Sequence, residues 1–520
     1  MPTLTLLGLG PGDPALLTAQ ALAHLAAAPR IWLRTAVHPT VAALPQLQAA
    51  RSFDALYESA ADFAAMYGQI AHEVVAAAQA DDLTYAVPGH PLVAEATTRL
   101  ILALAREQGV VVRIIAGLSF VEVVCSALLL DPFAPGLQLL DALDLLPPPV
   151  VAPADLKDAA WTEIQGLGPY QSLVVPFPLV PTQPVLLTQL YHRRVASEVK
   201  LTLLEQYPAS HLITVVRHAG LPNQQITSVP LHELDHLTLD HLSAAFVPAL
   251  APHAATRSVE GLQWVIMRLL GPNGCPWDRE QTHQSLRRYL LEETYEALEA
   301  LDADDLQAFS EELGDVLLQI VLHSEMGRQA GTFNWGDVVE QLTEKLIRRH
   351  PHVFGAASVS GSDEVLRNWE AIKQTEHATQ GKSRTSALDG VPPALPALAL
   401  AQQLTRKAAK VGFDWDARDG VWDKVAEELA ELREVDPEAP AARAHLEEEF
   451  GDLLFALANL ARWLELDAET ALRQATGKFR RRFERIEALA ALRGTALPSL
   501  DLKAMDALWE QVKREERLLD

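Results

Sequence analysis

The spacing of apolar residues changes character near residue 250. Before that point, short apolar runs alternate with longer stretches whose apolar residues recur at helical spacing. The short runs predict β-strands and the longer stretches predict helices, notably over residues 62–79 and 91–108. The predicted strands cover residues 3–7, 31–33, 82–87, 110–115, 172–175, 199–203 and 211–216. This alternation predicts an α/β domain over residues 1–250.

Beyond residue 250 the strand pattern stops. Proline-containing stretches predict linkers at residues 246–257 and 377–396, which separate two helical domains at 251–376 and 397–520. The predicted helices cover residues 259–270, 286–301, 305–327, 335–348 and 363–376, then 398–410, 422–434, 441–466, 468–492 and 501–519. Repeated amphipathic helices with short loops are typical of all-α bundles. The chain is therefore predicted to be multidomain, with an α/β part followed by an all-α part.

A set of acidic, basic and aromatic residues occurs twice in the helical half, in the same order. The string EETYE at residues 292–296 recurs as EELAE at 427–431, and EELGD at 311–315 recurs as EEFGD at 448–452. The string KLIRR at 345–349 recurs as KFRRR at 478–482. Conserved order over several different strings indicates a tandem duplication.

The repeated carboxylates are spaced one helical turn apart, which places Glu293 with Glu296 and Glu312 with Asp315 on shared faces. The apolar positions around Glu293 predict that it points toward the core. Ionised carboxylates in a core are costly unless a cation joins them, and paired carboxylates suit Mg²⁺. The second copy offers the equivalent set Glu428, Glu431, Glu449 and Asp452.

These strings resemble the MazG family of nucleoside triphosphate pyrophosphohydrolases over residues 259–520. The resemblance implies an all-α fold, dependence on Mg²⁺, a homodimer, and hydrolysis of NTPs or dNTPs to the monophosphate and pyrophosphate. It also implies that the eight carboxylates of the two copies bind metal, and that Glu292 and Glu427 orient or deprotonate the attacking water. The implied substrate-binding residues are Lys478, Arg481, Arg482, Trp509 and Lys513, with Lys345, Arg348 and Arg349 in the first copy. In two-copy members the second copy is the better-supported active one, but neither copy here lacks a carboxylate.

Three glycine-containing loops follow predicted strands in the first half, at residues 8–14, 87–91 and 116–120. Loops of this kind let a ligand approach the backbone beyond the strand ends. They resemble the loops of the tetrapyrrole (corrin/porphyrin) methylase family, and Arg34-Thr35 with His38-Pro39 resembles its YabN-type branch. The resemblance implies a two-lobed α/β domain that holds S-adenosylmethionine between its lobes. The residues implied to contact this cofactor are Gly10, Pro11, Gly12, Gly89, His90, Gly117 and Ser119. Many family members carry Asp at the position of His90, which puts the usual substrate in question.

The net charge of −25 argues against non-specific binding to nucleic acid or to an anionic membrane. Two cysteines provide no disulfide framework and suit a reducing cytoplasm, and no apolar run reaches the length of a membrane span. Two other hypotheses remain open at this stage. One is a methyltransferase whose MazG-like part regulates or oligomerises it, and the other is a nucleotide sensor without catalysis.

Overall fold

A computed structural model of the chain describes residues 2–59, 63–134, 136–145, 179–355, 357–379, 386–436 and 442–517. The chain divides into two compact units. The first contains Met1–Ser285 and Val321–Met326, and the second contains Leu286–Ile320 and Gly327–Asp520. No helix among the described residues combines the length and the apolar character needed to cross a bilayer.

The first sheet is parallel and begins the first unit. In its described part it has the order β3-β2-β4-β1-β5, with β1 (Thr3–Gly8), β2 (Ile31–Leu33), β3 (Arg51–Ser52), β4 (Leu83–Val87) and β5 (Val111–Ile115). Strands β1 and β4 are almost entirely buried, as central parallel strands covered on both faces are. The covering helices are α1 (Ala19–Ala27), α2 (Pro39–Ala43), α3 (Asp54–Ser59), α4 (Phe63–Ala80) and α5 (Ala96–Glu107). The three glycine loops follow β1, β4 and β5, so they meet at the carboxyl edge of this sheet.

The second sheet of this unit is mixed. In its described part it has the order β6-β7-β10-β8-β9, with β6 (Gln138–Asp141), β7 (Val185–Thr188), β8 (Leu212–Arg217), β9 (Gln225–Pro230) and β10 (Ser243–Val247). Only the β6–β7 pair is parallel among the described strands of this sheet. Helix α6 (Phe120–Leu128) packs Val124 against one face, and helix α7 (Arg193–Leu204) packs against the other. The two sheets provide the two lobes that the first half of the sequence predicts.

The remaining helices belong to the sequence repeat. The first copy comprises α8 (Val259–Leu270), α9 (Pro276–Glu280), α10 (Arg287–Asp302), α11 (Leu306–Ala330), α12 (Trp335–Arg349), α13 (Pro351–Phe354) and α14 (Ser362–Thr379). The second copy comprises α15 (Ala397–Ala409), α16 (Arg418–Glu434), α17 (Ala442–Trp463), α18 (Ala468–Leu492) and α19 (Leu502–Glu516). All ten helices predicted for this half are present, with ends shifted by a few residues. No β-strand lies among the described residues after residue 250.

Several predictions for the first half differ from the structure. The predicted strand at 199–203 is wrong, because these residues belong to α7, whose buried residues Val195, Ala196, Val199 and Leu203 follow helical spacing. The predicted linker at 246–257 begins too early, since Phe246 and Val247 complete β10. Strands β3, β6, β7, β9 and β10 were not predicted, and the predicted strand at 172–175 lies outside the described residues.

Candidate functional site

The second copy brings three of its predicted metal ligands together. Glu428 lies on α16, whereas Glu449 and Asp452 lie on α17. One carboxylate oxygen of each residue lies within 4.8 Å of those of the other two. Glu428 is only 5% exposed, whereas Asp452 is exposed. Glu431 is exposed and is not one of the three converging residues, but desolvation and repulsion from Glu428 and Glu449 raise its pKa.

The first copy forms a matching cluster. Carboxylate oxygens of Glu293 and Glu296 on α10 and of Glu312 on α11 lie within 4.8 Å of one another. Glu293 and Glu312 are half-buried, and Glu296 is exposed. Partial burial is the largest cause that raises the pKa of Glu293, followed by repulsion from the charges of Asp315 and Glu296. Asp315 therefore lies close enough to the cluster to interact electrostatically with Glu293. The cluster is therefore less buried than the spacing around Glu293 predicts.

The donor set of each cluster fits Mg²⁺. An octahedral Mg²⁺ ion bonded to oxygens at about 2.1 Å places neighbouring oxygens about 3 Å apart and opposite ones about 4.2 Å apart. Three carboxylate oxygens within 4.8 Å of one another are spaced on the scale of that coordination shell. Carboxylate oxygen is also the ligand type that this hard cation prefers. Glu293, Glu296 and Glu312 could hold one ion, and Glu428, Glu449 and Asp452 another.

The two clusters differ in the basic side chains that contact them. Lys424 Nζ lies 2.8 Å from Glu427 Oε1 and 2.7 Å from Glu428 Oε1, and His445 Nε2 lies 3.0 Å from Glu449 Oε1. The repeat places Tyr289 and Ala308 at the corresponding positions of the first copy. Lys424 and His445 contact the second cluster but were not predicted from the sequence, since both are absent from the repeated strings.

Glu427 and Glu292, the residues implied to act on water, are exposed. The Glu427 side chain is 54% exposed, and its nearest described cation is Lys424. Glu292 precedes Glu293 on α10 and is also exposed. Both can therefore exchange partners with solvent or with a bound substrate.

The predicted phosphate-binding residues of the second copy lie on α18 and α19. Arg482 is paired with Glu516, with Nη2 and Oε2 2.7 Å apart, and its guanidinium carbon lies 5.6 Å from the Trp509 ring centroid. Lys513 Nζ donates a hydrogen bond to Glu510 Oε1 at 2.8 Å. Lys478 and Arg481 are exposed on the same helix as Arg482.

The first copy repeats this arrangement. Arg349 Nη2 lies 2.7 Å from Glu376 Oε2, and the Arg349 guanidinium carbon lies 5.3 Å from the Trp369 ring centroid. Arg348 also pairs with Glu376, with Nε and Oε1 2.7 Å apart, while Lys345 is exposed. These contacts hold the pKa of the Glu376 carboxyl well below its usual range, at about 2. Glu376 and Glu516 were missed from the sequence, although both lie two helical turns after the repeated tryptophan.

A cavity of about 420 Å³ lies in the first unit, at the glycine loops. Pro11, Gly89, His90 and Ser119 line it, as the family resemblance implies. Gly10, Gly12 and Gly117 instead shape the loops around it. Gly10 forms an isolated bridge with Gly89, Gly12 has a φ of +133°, and a Cβ atom on Gly117 would clash with the Gly89 carbonyl. Residues from the second lobe, including Thr188, Gln189 and Ala244, complete the lining.

A buried polar network forms part of the cavity wall. Arg34 Nη1 lies 3.1 Å from Glu95 Oε2, with side-chain exposures of 19% and 2%. Arg34 Nε donates a hydrogen bond to the Tyr57 hydroxyl at 2.9 Å. Burial raises the pKa of Tyr57 to about 12 despite this positive neighbour. Tyr57 and Glu95 also line the cavity, and neither was predicted from the sequence.

His38, which also lines the cavity, gives the first unit a specific pH dependence. Burial and the nearby His241 lower the pKa of His38 to about 4, and its Nδ1 atom is buried without a partner among the described residues. Because the folded-state pKa lies below the unfolded value of about 6.5, the unfolded chain binds more protons between these two values. The contribution of neutral His38 to stability is therefore fully present above pH 6.5 and is lost progressively toward pH 4, by up to about 3 kcal/mol.

Between pH 7 and pH 5, protonation of Asp141, whose pKa burial raises to about 6, opposes the effect of His38. We therefore expect the urea midpoint of the first unit to shift downward relative to that of His38→Gln over this pH range. Hydrogen exchange in peptides from β1 and β4 reports this unit separately from the helical repeat. An equal pH dependence in both proteins would contradict the assignment to His38.

Comparison with known proteins gives matches in both halves. The family model "MazG nucleotide pyrophosphohydrolase domain" matches residues 281–354 and 420–486, and "Tetrapyrrole (Corrin/Porphyrin) Methylases" matches 3–235. The uncharacterized protein YabN of Bacillus subtilis (strain 168) is 40% identical over 517 residues, which are 99% of each chain. A nucleoside triphosphate pyrophosphohydrolase of Escherichia coli (strain K12) is 46% identical over 259 residues, which are 50% of this chain and 98% of the relative. Among solved structures, the methyltransferase CobJ aligns with 48% of this chain and 95% of its own, at 18% identity and a TM-score of 0.34.

Proposed function

Because the chain belongs to the family in which a tetrapyrrole methylase domain precedes MazG nucleotide pyrophosphohydrolase domains, we propose that it hydrolyses nucleoside triphosphates to the monophosphate and pyrophosphate. The observation that carries this proposal is the convergence of three carboxylates in each helical copy. The matches to the MazG domain include both clusters, at residues 281–354 and 420–486.

Mg²⁺ is the proposed metal, because the donor set is carboxylate oxygen throughout. When bound, Mg²⁺ neutralises phosphate charge and helps to orient water for in-line attack. Glu293, Glu296, Glu312 and Asp315 would hold it in the first copy, and Glu428, Glu431, Glu449 and Asp452 in the second. Glu292 and Glu427 would orient or deprotonate the attacking water.

The basic residues on α12 and α18 are proposed to bind the triphosphate. Arginine forks match phosphate oxygens in geometry and charge. Lys478, Arg481, Arg482 and Lys513 would do this in the second copy, and Lys345, Arg348 and Arg349 in the first. Trp509 is half-buried beside Phe479 and would pack against the nucleotide base with its accessible part.

The test is a pyrophosphate-release screen over NTPs and dNTPs, with and without Mg²⁺, using the purified full-length chain. We expect release of pyrophosphate, and not of orthophosphate, that requires the metal. Nucleotide binding without any pyrophosphate release would contradict hydrolysis and would favour a nucleotide sensor.

A homodimer is proposed as the working assembly, supported by apolar residues exposed at equivalent positions of the two copies. On α11, Leu313, Leu317 and Ile320 are each at least 39% exposed. On α17, Phe450, Leu454 and Leu457 are each at least 40% exposed and occupy the same repeat positions. Apolar stripes of this kind on neighbouring turns are typical of protein–protein interfaces.

We expect the wild-type chain to sediment as a dimer and the Leu317→Lys/Leu454→Lys variant to sediment as a monomer, since a lysine in each stripe would have to be desolvated on association. Leu502→Lys is the matched control, because Leu502 is 82% exposed at the start of α19, outside both stripes. A wild-type monomer, or a variant that stays dimeric, would contradict the proposed interface.

The cavity in the first unit favours a second candidate function, the binding of S-adenosylmethionine for methyl transfer. Its wall combines loop backbone at Gly89 with the apolar side chains of Phe120, Val123 and Val124, which could pack against an adenine ring. Calorimetry with S-adenosylmethionine tests this directly, and no binding at millimolar cofactor would contradict this second candidate function.

The free cysteines Cys125 and Cys275 support a cytoplasmic location for the protein.

A further inference from the structure

Glu376 and Glu516 hold the two repeated arginines by the same edge of the guanidinium group. In the second copy, Arg482 Nε lies 2.8 Å and Nη2 lies 2.7 Å from Glu516 Oε2. In the first copy, Arg349 Nε lies 3.2 Å and Nη2 lies 2.7 Å from Glu376 Oε2. Both pairs are therefore two-point contacts, which fix the plane of the guanidinium group as well as its position.

An aromatic ring restrains each arginine further. Trp509 and Trp369 lie within cation–π distance of Arg482 and Arg349, on the same helices as the two glutamates. Trp509 is itself packed against a buried cluster, which contains Ile486, Leu489, Ala490, Leu508 and Val512. The arginine is thus clamped between a carboxylate and a ring that the helix packing holds in place.

The opposite edge of each guanidinium group is left for another ligand. An arginine side chain has five N–H donors, and the carboxylate accepts from Nε and from one side of Nη2. Within the described part of the chain, no hydrogen bond involves Nη1 of Arg349 or Arg482. The Nη1/Nη2 edge has the geometry that binds a phosphate through two parallel hydrogen bonds.

We propose that Glu516 and Glu376 are positioning residues for phosphate binding: each fixes its arginine so that the free guanidinium edge binds a phosphate of the nucleoside triphosphate. This inference rests on the proposed function and deepens it. A flexible arginine loses rotamer freedom when it binds substrate, whereas a clamped one has lost it already. The glutamate therefore strengthens substrate binding without contacting the substrate.

A neighbouring ion pair on the same two helices provides a matched control. Arg485 on α18 pairs with Glu515 on α19, with Nη2 and Oε2 3.1 Å apart, and the two side chains are 52% and 37% exposed. Glu515→Gln removes one negative charge from α19 beside an arginine of α18, as Glu516→Gln does. Unlike Glu516→Gln, it leaves the clamp on Arg482 intact.

The experiment compares KM and kcat for pyrophosphate release in the full-length wild type, in Glu376→Gln/Glu516→Gln and in Glu515→Gln. Because the double variant changes both copies, its result does not depend on which copy turns over substrate. We expect KM to rise roughly 3- to 10-fold with kcat close to that of the wild type, and Glu515→Gln to leave both unchanged. Glu376→Asp/Glu516→Asp keeps both charges but shortens the reach to the arginines, so it should raise KM as well.

Binding of inorganic tripolyphosphate, followed by calorimetry, provides a readout that needs no turnover. The double Gln variant should bind this probe more weakly by a similar factor. Equal affinity of the double Gln variant and the wild type for tripolyphosphate, or an unchanged KM, would overturn the positioning role. A lower KM in the variant would also overturn it, because the glutamates would then compete with the substrate for the arginines. A wild type that binds tripolyphosphate but releases no pyrophosphate would refute the proposed function, while the comparison of binding still decides this inference.

Discussion

Replacing Glu293 and Glu428 together by alanine should lower pyrophosphate release by at least about 100-fold, a loss of the size seen when a single group that stabilises transition-state charge is removed. Each residue belongs to a cluster of three carboxylates whose oxygens lie within 4.8 Å of one another. Loss of one carboxylate from each cluster removes a metal ligand from both copies at once. The measurement is the rate of pyrophosphate release at saturating Mg²⁺ and substrate.

The single variants show how the activity is divided between the copies. If only the second copy is active, Glu428→Ala alone should reproduce the loss and Glu293→Ala should have little effect. Glu447→Ala is the control, because Glu447 lies on α17 near Glu449 but is 66% exposed and pairs with Arg443. Turnover retained in the double variant would refute the assignment of these residues as metal ligands.

Replacing Glu95 by alanine should destabilise the first unit by about 3–5 kcal/mol, because it leaves the Arg34 guanidinium without its buried ion-pair partner. The Glu95 side chain is only 2% exposed, and it also accepts hydrogen bonds from the backbone and side chain of Thr97, which would lose this partner. The measurement is the urea midpoint of this unit, followed by hydrogen exchange in peptides from β4 and α5.

The double variant Arg34→Met/Glu95→Leu tests the cause of that loss. Replacing both charged partners by apolar residues removes the uncompensated charge, so it should restore most of the stability. It also removes polar groups from the cavity wall without changing the glycine loops. A Glu95→Ala protein as stable as the wild type would contradict the buried ion pair.

Much of the architecture could be predicted because its patterns are local. The helices of the repeat have strong apolar periodicity, and all ten predicted helices are present. Both family resemblances are confirmed, as is the organisation into an α/β part followed by helical bundles. Strands 3–7, 31–33 and 82–87 are also recovered within one or two residues, since central parallel strands are continuous apolar runs.

The second lobe was harder to predict because its strands carry weaker signals. β9 is mostly exposed, so its sequence lacks an apolar face, and no residue of β6 is fully buried. Helix α7 contains Val195 and Val199, and such residues favour strands in a short window. Only the spacing of apolar residues over several turns, which includes Ala196 and Leu203, distinguishes a helix from a strand here.

The candidate site could be predicted in its residue types but not in its pairings. The repeat identified the carboxylates, the arginines and the tryptophans, since each occurs twice in order. It could not identify Lys424 or His445, which occur in one copy, or the contact between Arg482 and Glu516, which joins two helices. Contacts between helices depend on how the helices pack, and spacing along one chain does not determine that packing.

The central claim is that the three carboxylates in each helical copy converge because a divalent cation lies among them and holds a triphosphate. The most direct test is an anomalous difference map from crystals grown with Mn²⁺ in place of Mg²⁺ and a non-hydrolysable nucleoside triphosphate. The expected result, at least in the active copy, is a manganese peak within bonding distance of carboxylate oxygens and of the bound triphosphate. In the second copy these carboxylates are Glu428, Glu449 and Asp452. A nucleotide bound elsewhere, with these side chains turned into solvent and no metal peak between them in either copy, would contradict it.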